Sequence, residues 1–391
     1  EAREKGADIL DIGSSVKVGD VDLPLVTQIV DQAHEESKTR GLYVEYASSW
    51  GTMDLRLAIT DYFADWGGVD LDPKTETMVS RGIMDSYDRT IRAFSWKGVI
   101  VPDWAPYYAR SKATINRLPI IDVPIDLDTG NLRLDVLEQM FQEQGIDPHG
   151  LLMYITHPAA PIGTVMEDGF IEDHLIPFCR DNGIILFSDS YISATQFDDR
   201  RLRPILSYNG AKDVCVEAIT VAKELGLPGA RAGGIAGNEH IINGIRLLAA
   251  TEVDIVPGLS QILAARALKQ IRPEIVGQRI RSELENEILP RLTSMGWPFL
   301  KPKAGIDMLI AIPHGFRRDD IENPSLLAAI AILRRYGVAM CPCSVFGPDG
   351  RYALRLVLKQ KEGEIARALE KMRNEGFCWQ TEEPTCGVYP V

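Results

Sequence analysis

From residue 77 to residue 221 short apolar runs alternate with stretches of helical patterning, and this rhythm constrains the fold more than any other feature of the chain. Residues 77–80, 99–101, 120–123, 151–156, 184–187 and 214–221 read as strands, too short and too evenly apolar for surface helices. Residues 84–96, 106–116, 132–143 and 171–182 lie between them as helices; Leu137, Met140 and Phe141 fall near one face of the third. Strands that are apolar throughout are buried on both sides, and strands joined through helices run parallel. The predicted fold is therefore α/β, a mostly parallel sheet covered by helices on both faces, with its ligand beyond the carboxyl ends of the strands.

The flanking sequence adds a second unit. Residues 7–12 are a short apolar stretch closed by Gly13, residues 25–37 read as an amphipathic helix, and residues 55–66 carry Leu55, Ile59, Tyr62 and Phe63 on one side before the stop signal Gly67-Gly68. Residues 264–291 read as a long helical connector interrupted near Pro273. Beyond it, strands at 308–312, 337–341 and 352–358 mix with helices at 325–336 and 362–374, which predicts a smaller α+β domain. A chain of 391 residues has room for both. Residues 1–28 are assigned to the small domain as its N-terminal segment, 29–270 to the large domain and 271–391 to the small domain.

Charge and cysteine usage narrow the partners. A net charge of -13 opposes broad contact with nucleic acid or an anionic membrane, both of which need a basic face. The longest apolar runs, such as 151–155 and 183–187, are far short of a membrane span, and the charged first residues do not resemble a signal, so the expected location is cytoplasmic. Six scattered cysteines suit a reducing compartment rather than a disulfide framework. Cys341 and Cys343 lack a second pair, the histidines lack ligand spacing, and no metal is expected.

The chemistry concentrates at residues 220–234. Lys223 follows a probable strand, where apolar surroundings disfavour its ammonium and make the amine a usable nucleophile. Arg231 lies eight residues on, among small residues that admit a charged ligand. Asp189 closes an apolar strand, and Arg355 alternates with apolar neighbours in another.

With these positions in order, the chain resembles the class I/II aminotransferase family, fold type I enzymes that use pyridoxal 5'-phosphate (PLP), over nearly its whole length. The matching residues are Tyr46, Gly51, Leu55 and Arg56; Gly82; Pro102 and Trp104; Thr220, Lys223 and Arg231; and Phe346, Gly347 and Arg355. The resemblance implies a Schiff base between Lys223 and PLP, and phosphate contacts from Thr220, Arg231 and the amides of Gly82 and Ile83 at a helix N-terminus. It further implies that Trp104 stacks on the pyridine and that Asp189 keeps the pyridine nitrogen protonated. Arg355 would clamp a substrate α-carboxylate with Gly13 nearby, and Tyr46 would reach the phosphate of a neighbouring subunit, making the active unit a homodimer. Each position also has an ordinary reading: a core aromatic, a turn glycine, a strand-end aspartate, a surface arginine. Arg81 is either a second phosphate ligand or a solvated charge.

Two positions depart from the family pattern. Ala160, in His157-Pro-Ala-Ala-Pro-Ile-Gly163, stands where the family has an asparagine, and Ile192 where it has a tyrosine; Tyr191 is one residue early. On an extended backbone Asp189 and Tyr191 face the same side, so Tyr191 can reach the same oxygen of the cofactor, and His157 is a second candidate donor. Otherwise Ser188 takes the family aspartate's place. The resemblance implies transamination of an amino acid to a 2-oxo acid, with Lys223 as general base. A PLP-dependent lyase (β/γ-elimination, decarboxylation or cyclisation) and a non-catalytic PLP-binding relative are the alternatives.

Overall fold

In the computed structural model, which describes residues 9–13, 23–41, 46–193, 195–197, 202–252 and 255–382, the alternating runs form one seven-stranded sheet. A short strand, β1 (Leu10–Asp11), and two helices, α1 (Leu23–Thr39) and α2 (Met53–Gly67), precede it. The sheet comprises β2 (Thr77–Ser80), β3 (Gly98–Pro102), β4 (Ile120–Val123), β5 (Leu151–Thr156), β6 (Ile185–Asp189), β7 (Cys215–Thr220) and β8 (Gly233–Gly237), in the order β2-β8-β7-β6-β5-β3-β4. Helix α3 (Ile83–Arg92) follows β2, and α4 (Tyr107–Ile115) follows β3.

Every pairing among β3 to β7 is parallel, while β8 runs antiparallel to both of its neighbours. The period-two alternation of a strand divides the core in two. On β5, Leu151, Met153 and Ile155 join Leu55, Ile59 and Phe63 of α2 on one face, whereas Leu152 and Tyr154 join Tyr87 and Ile91 of α3 on the other. Each such side chain contributes about 1.5–3 kcal/mol on burial, which is why the continuous apolar runs were a dependable sign of a sheet covered on both sides. Helix α2 stops as expected: Gly68, at φ 66°, turns left-handed and its N–H returns to the carbonyls of Ala64 and Phe63.

Strand β8 begins at the last two residues of the 220–234 stretch, where no strand was expected. Its glycines are there because the backbone neighbours leave no room: a Cβ on Gly233 would lie 2.3 Å from the Ile219 carbonyl oxygen, and one on Gly234 would lie 2.3 Å from Ile59 Cδ1. A strand made of such residues has no apolar alternation to read.

The smaller unit adds β9 (Phe299–Leu300), β10 (Asp307–Ala311), β11 (Val338–Ala339), β12 (Cys341–Pro342) and β13 (Ala353–Val357). Four of these form an antiparallel sheet, β12-β13-β10-β9, over a core of Trp297, Met308, Ile310, Ile332, Leu354 and Leu369. The run foreseen as one strand at 337–341 divides, with β11 pairing in parallel with β1 and β12 pairing with β13. The start of the chain thus joins the small unit, and Ile12 is buried in its core. The boundary set at residue 28 falls inside α1, however, and α1 packs on the large unit. Val26 lies against the sheet core, and Arg266 of the helix Gly258–Gln270 meets Glu36 at 2.7 Å. The foreseen connector is two helices, Gly258–Gln270 and Glu274–Glu283, parted at Pro273.

Candidate functional site

Strands β2, β6 and β7 end close together, and the turns after them build the site. Leaving β2, the backbone passes through Gly82 at φ 102°, a conformation that favours glycine, directly into α3. A Cβ at Gly82 would lie 3.2 Å from Thr220 Oγ1, so the turn after β2 touches the end of β7. The first N–H groups of α3, from Ile83 on, have no carbonyl behind them in the helix, and its N-terminus carries partial positive charge. Thr220 Oγ1 accepts from the Ala222 N–H at 3.2 Å and donates to the Ala232 carbonyl at 3.3 Å.

Two arginines flank this turn. Arg231, exposed and left-handed at φ 49°, donates to the carbonyls of Pro228 and Arg81 at 3.3 Å. Arg81 turns back onto α3, its guanidinium 2.8 Å from Asp85, so of its two readings the structure shows a side chain engaged with its own helix.

Lys223 follows β7 and is half-buried. Desolvation lowers its pKa; Asp307 opposes this, and Arg355 and Arg231 add to it. Its carbonyl accepts from the buried ammonium of Lys359.

Asp189 ends β6 fully buried. Its Oδ2 accepts two phenol hydrogen bonds of 2.6 Å, from Tyr108 at the start of α4 and from Tyr154 on β5. Its Oδ1 makes no hydrogen bond of good geometry among the described residues. Burial pushes the carboxyl up to about 7, against the opposing pull of Tyr108, Tyr154 and the Tyr191 N–H.

A cavity of about 280 Å³ joins these parts, lined by Gly82, Ile83, Tyr191, Thr220, Lys223, Arg231 and Arg355 among the residues singled out from the sequence. Arg355 stands on β13, its guanidinium 5.1 Å from the Phe346 ring centre. Its Nη2 donates to the Gly13 carbonyl at 2.9 Å. Gly13 is confined there, since a Cβ would lie 2.3 Å from the Cys341 nitrogen.

Four expected residues, Asp189, Trp104, Gly13 and Tyr46, do not line the cavity; Asp189 is fully buried and bonded to Tyr108, which does. Trp104 packs into an apolar cluster with Ile162, Leu309 and Phe346, and Tyr108, four residues on, lines the cavity in its stead. Gly13 reaches the site only through Arg355. Tyr46 is 98% exposed and is not part of the cavity lining. Of the departures, Ala160 lines the cavity with no side-chain donor, and Ile192 is buried in the core of the small unit. His157 is no substitute donor: it is buried off the cavity lining, both ring nitrogens lack a partner among the described residues, and burial lowers its pKa to about 4.

Sequence reading missed Tyr108, Tyr154 and Asp307. Tyr108 and Tyr154 belong to no local motif, and only the fold brings their hydroxyls to one carboxylate. Asp307 had a signal, an acid opening the apolar run Asp307-Met-Leu-Ile-Ala, but the strand was read as starting at 308.

Comparison with known proteins gives a consistent result. The family model described as Aminotransferase class I and II matches residues 8–372. An LL-diaminopimelate aminotransferase from Desulforudis audaxviator is 26% identical over 380 residues, covering 95% of this chain and 92% of that protein. L-glutamine--4-(methylsulfanyl)-2-oxobutanoate aminotransferase from Bacillus subtilis is 25% identical over 373 residues, covering 93% and 88%. Among solved structures, apo-BacF from Bacillus subtilis shares the fold at a TM-score of 0.85 and 20% identity, over 97% of this chain and 93% of that one.

Proposed function

Because this chain belongs to the class I and II aminotransferases, a family of PLP-dependent enzymes, we propose that the cavity between the two units exchanges an amino group between an amino acid and a 2-oxo acid, with Lys223 as its covalent anchor. One observation carries this reading: a half-buried lysine shares a single cavity with a helix N-terminus and a half-buried arginine, Arg355.

The residues fit PLP. Asp189 Oδ1, buried and without a good hydrogen bond among the described residues, suits the N–H of a protonated pyridine, and the close approach of Gly82 to Thr220 leaves a side-chain-free cradle for a phosphate. When bound, PLP supplies a carbonyl carbon for an amine and a ring that accepts the electrons released at a substrate Cα.

In this proposal the phosphate is held by Thr220, Arg231 and the amides of Gly82 and Ile83, where the helix dipole favours an anion. Asp189 holds the ring-nitrogen proton, its negative charge supported by the two phenols. The aromatic face falls to Tyr108 rather than Trp104. Tyr191 supplies the hydroxyl missing at Ile192, and Arg355, steadied by the Gly13 carbonyl, grips the α-carboxylate in bidentate fashion. Lys223 Nζ, with its proton affinity lowered by burial, takes the proton from the substrate Cα as general base.

A cytoplasmic homodimer belongs to the same reading. Tyr46, Trp50, Met53 and Leu57, close in sequence, are all exposed, which suits contact with a second copy, and Tyr46 would reach the partner's phosphate. Free cysteines support a reducing compartment.

The test is spectroscopic and chemical. Protein purified with PLP should show a visible imine band that Lys223→Ala abolishes, and should release a 2-oxo acid only when an acceptor 2-oxo acid is present. A persistent band in the variant overturns the anchor. Turnover without an acceptor assigns a lyase, the second reading that the missing donor at Ala160 favours.

A further inference from the structure

Asp307 places a carboxylate where a site for simple amino acids has no use for one. It opens β10 opposite Val357, is 3% exposed, and lines the cavity together with Lys223, Tyr191 and Arg355. Its Oδ1 lies 3.7 Å from Arg355 Nε, yet neither atom has a hydrogen-bond partner among the described residues. The two charges attract without a direct hydrogen bond between them, and the carboxylate belongs to the cavity lining.

Charge balance decides what can fill it. When a substrate α-carboxylate binds Arg355, one guanidinium faces two carboxylates, and like charges sharing one site repel. The α-ammonium of the substrate cannot offset this through the reaction, because it must lose its proton to act as a nucleophile. A cation elsewhere on the substrate can, and its N–H groups would meet the open acceptor of Asp307 in a charge-assisted bond.

We propose that Asp307 is a specificity-determining residue that selects amino acids bearing a second cationic group, an ammonium or guanidinium, over neutral and acidic ones. The inference rests on the function proposed above and names its substrate class. Nothing in it requires Asp307 to touch the reacting atoms.

The experiment compares L-arginine with L-citrulline, which keeps the shape and removes the charge, on the PLP-loaded enzyme and on Asp307→Asn. The unaltered enzyme should favour L-arginine by tenfold or more in kcat/KM. In the variant that preference should collapse, through a raised KM for L-arginine and a lowered KM for L-citrulline, whose α-carboxylate no longer meets a second negative charge. A readout free of turnover is the dissociation constant of α-methyl-L-ornithine against α-methyl-L-norvaline, neither of which has a Cα proton to lose; the same preference, and its loss in the variant, is expected.

Equal use of L-arginine and L-citrulline by the unaltered enzyme overturns the proposal, and does so even if the variant fails to fold. Equal weakening of both ligands in Asp307→Asn also overturns it, because that is the result expected if Asp307 merely positions Arg355. Failure of the underlying function looks different: no imine band, and no oxo acid from any amino acid tried.

Discussion

Replacing Tyr154 by phenylalanine isolates the role of Asp189. The ring of Tyr154 sits 4.9 Å from that of Tyr87 and 5.9 Å from that of Phe187, contacts that phenylalanine keeps. What disappears is one O–H donor, 2.6 Å from a fully buried carboxylate. A hydrogen bond to a charged group is worth about 1.5–3 kcal/mol, or roughly ten- to one-hundredfold in an equilibrium. The bond favours the ionised form, so its loss raises the Asp189 pKa further above about 7 and shrinks the carboxylate population at neutral pH. The PLP dissociation constant of Tyr154→Phe should therefore rise by about ten- to one-hundredfold, with its pH profile displaced to higher pH. Titrating apoprotein with PLP by fluorescence across the neutral range measures both. Tyr87→Phe is the control, because that hydroxyl is 3.3 Å from the Ala109 carbonyl and does not touch Asp189. If Tyr154→Phe binds PLP like the unaltered protein, with an unshifted pH profile, Asp189 is not held as an anion by these phenols and the reasoning fails.

Three further outcomes are expected. Gly233→Ala would put a methyl 2.3 Å from the Ile219 carbonyl and 3.2 Å from Gly82 Cα, costing about 1–3 kcal/mol in urea unfolding and weakening PLP binding, whereas Gly229→Ala, in open space, should do neither. Burial raises both Asp189 and Glu217 to about 7, so between the unfolded carboxyl range near pH 4 and pH 7 the folded apoprotein holds more protons than the unfolded chain; urea midpoints should fall as pH rises through that window, and Asp189→Asn should reduce the slope. Arg355→Lys, which replaces a two-pronged grip with a point charge, should raise the KM for the amino acid by roughly tenfold or more and leave PLP affinity intact, since Arg355 is assigned to the substrate; a loss of PLP affinity instead would move Arg355 to the cofactor.

Much of the scaffold was legible because burial on both faces of a parallel sheet demands continuous apolar runs, and β2 through β7 carry them. Strand β8 was not, because what selects its residues is the absence of space for a side chain, and glycines chosen for that reason look like a turn. The site divided along similar lines. Lys223, Thr220, Gly82 and Arg231 sit in local motifs, so their shared cavity could be anticipated. The partners of Asp189 come from α4 and β5, far apart in sequence, and nothing local in Tyr108 or Tyr154 marks a hydroxyl aimed at a carboxylate. Trp104 differs again: it was singled out by its spacing, and its ring lies in an apolar cluster off the cavity lining.

The hydrogen bond between Arg355 and the Gly13 carbonyl joins residues 342 positions apart. On a ribosome, the residues assigned to the phosphate, from Gly82 to Arg231, emerge while a large part of the chain is still unmade. The arginine assigned to the substrate emerges only after them, and must then find a backbone carbonyl made 342 residues earlier. The residues assigned to the cofactor can thus come together before β13 exists, whereas those assigned to the substrate must wait for it. A shortened or nicked product that lacks β13 would retain the residues that hold PLP without those that hold an amino acid, so cofactor content alone is a poor measure of intact enzyme.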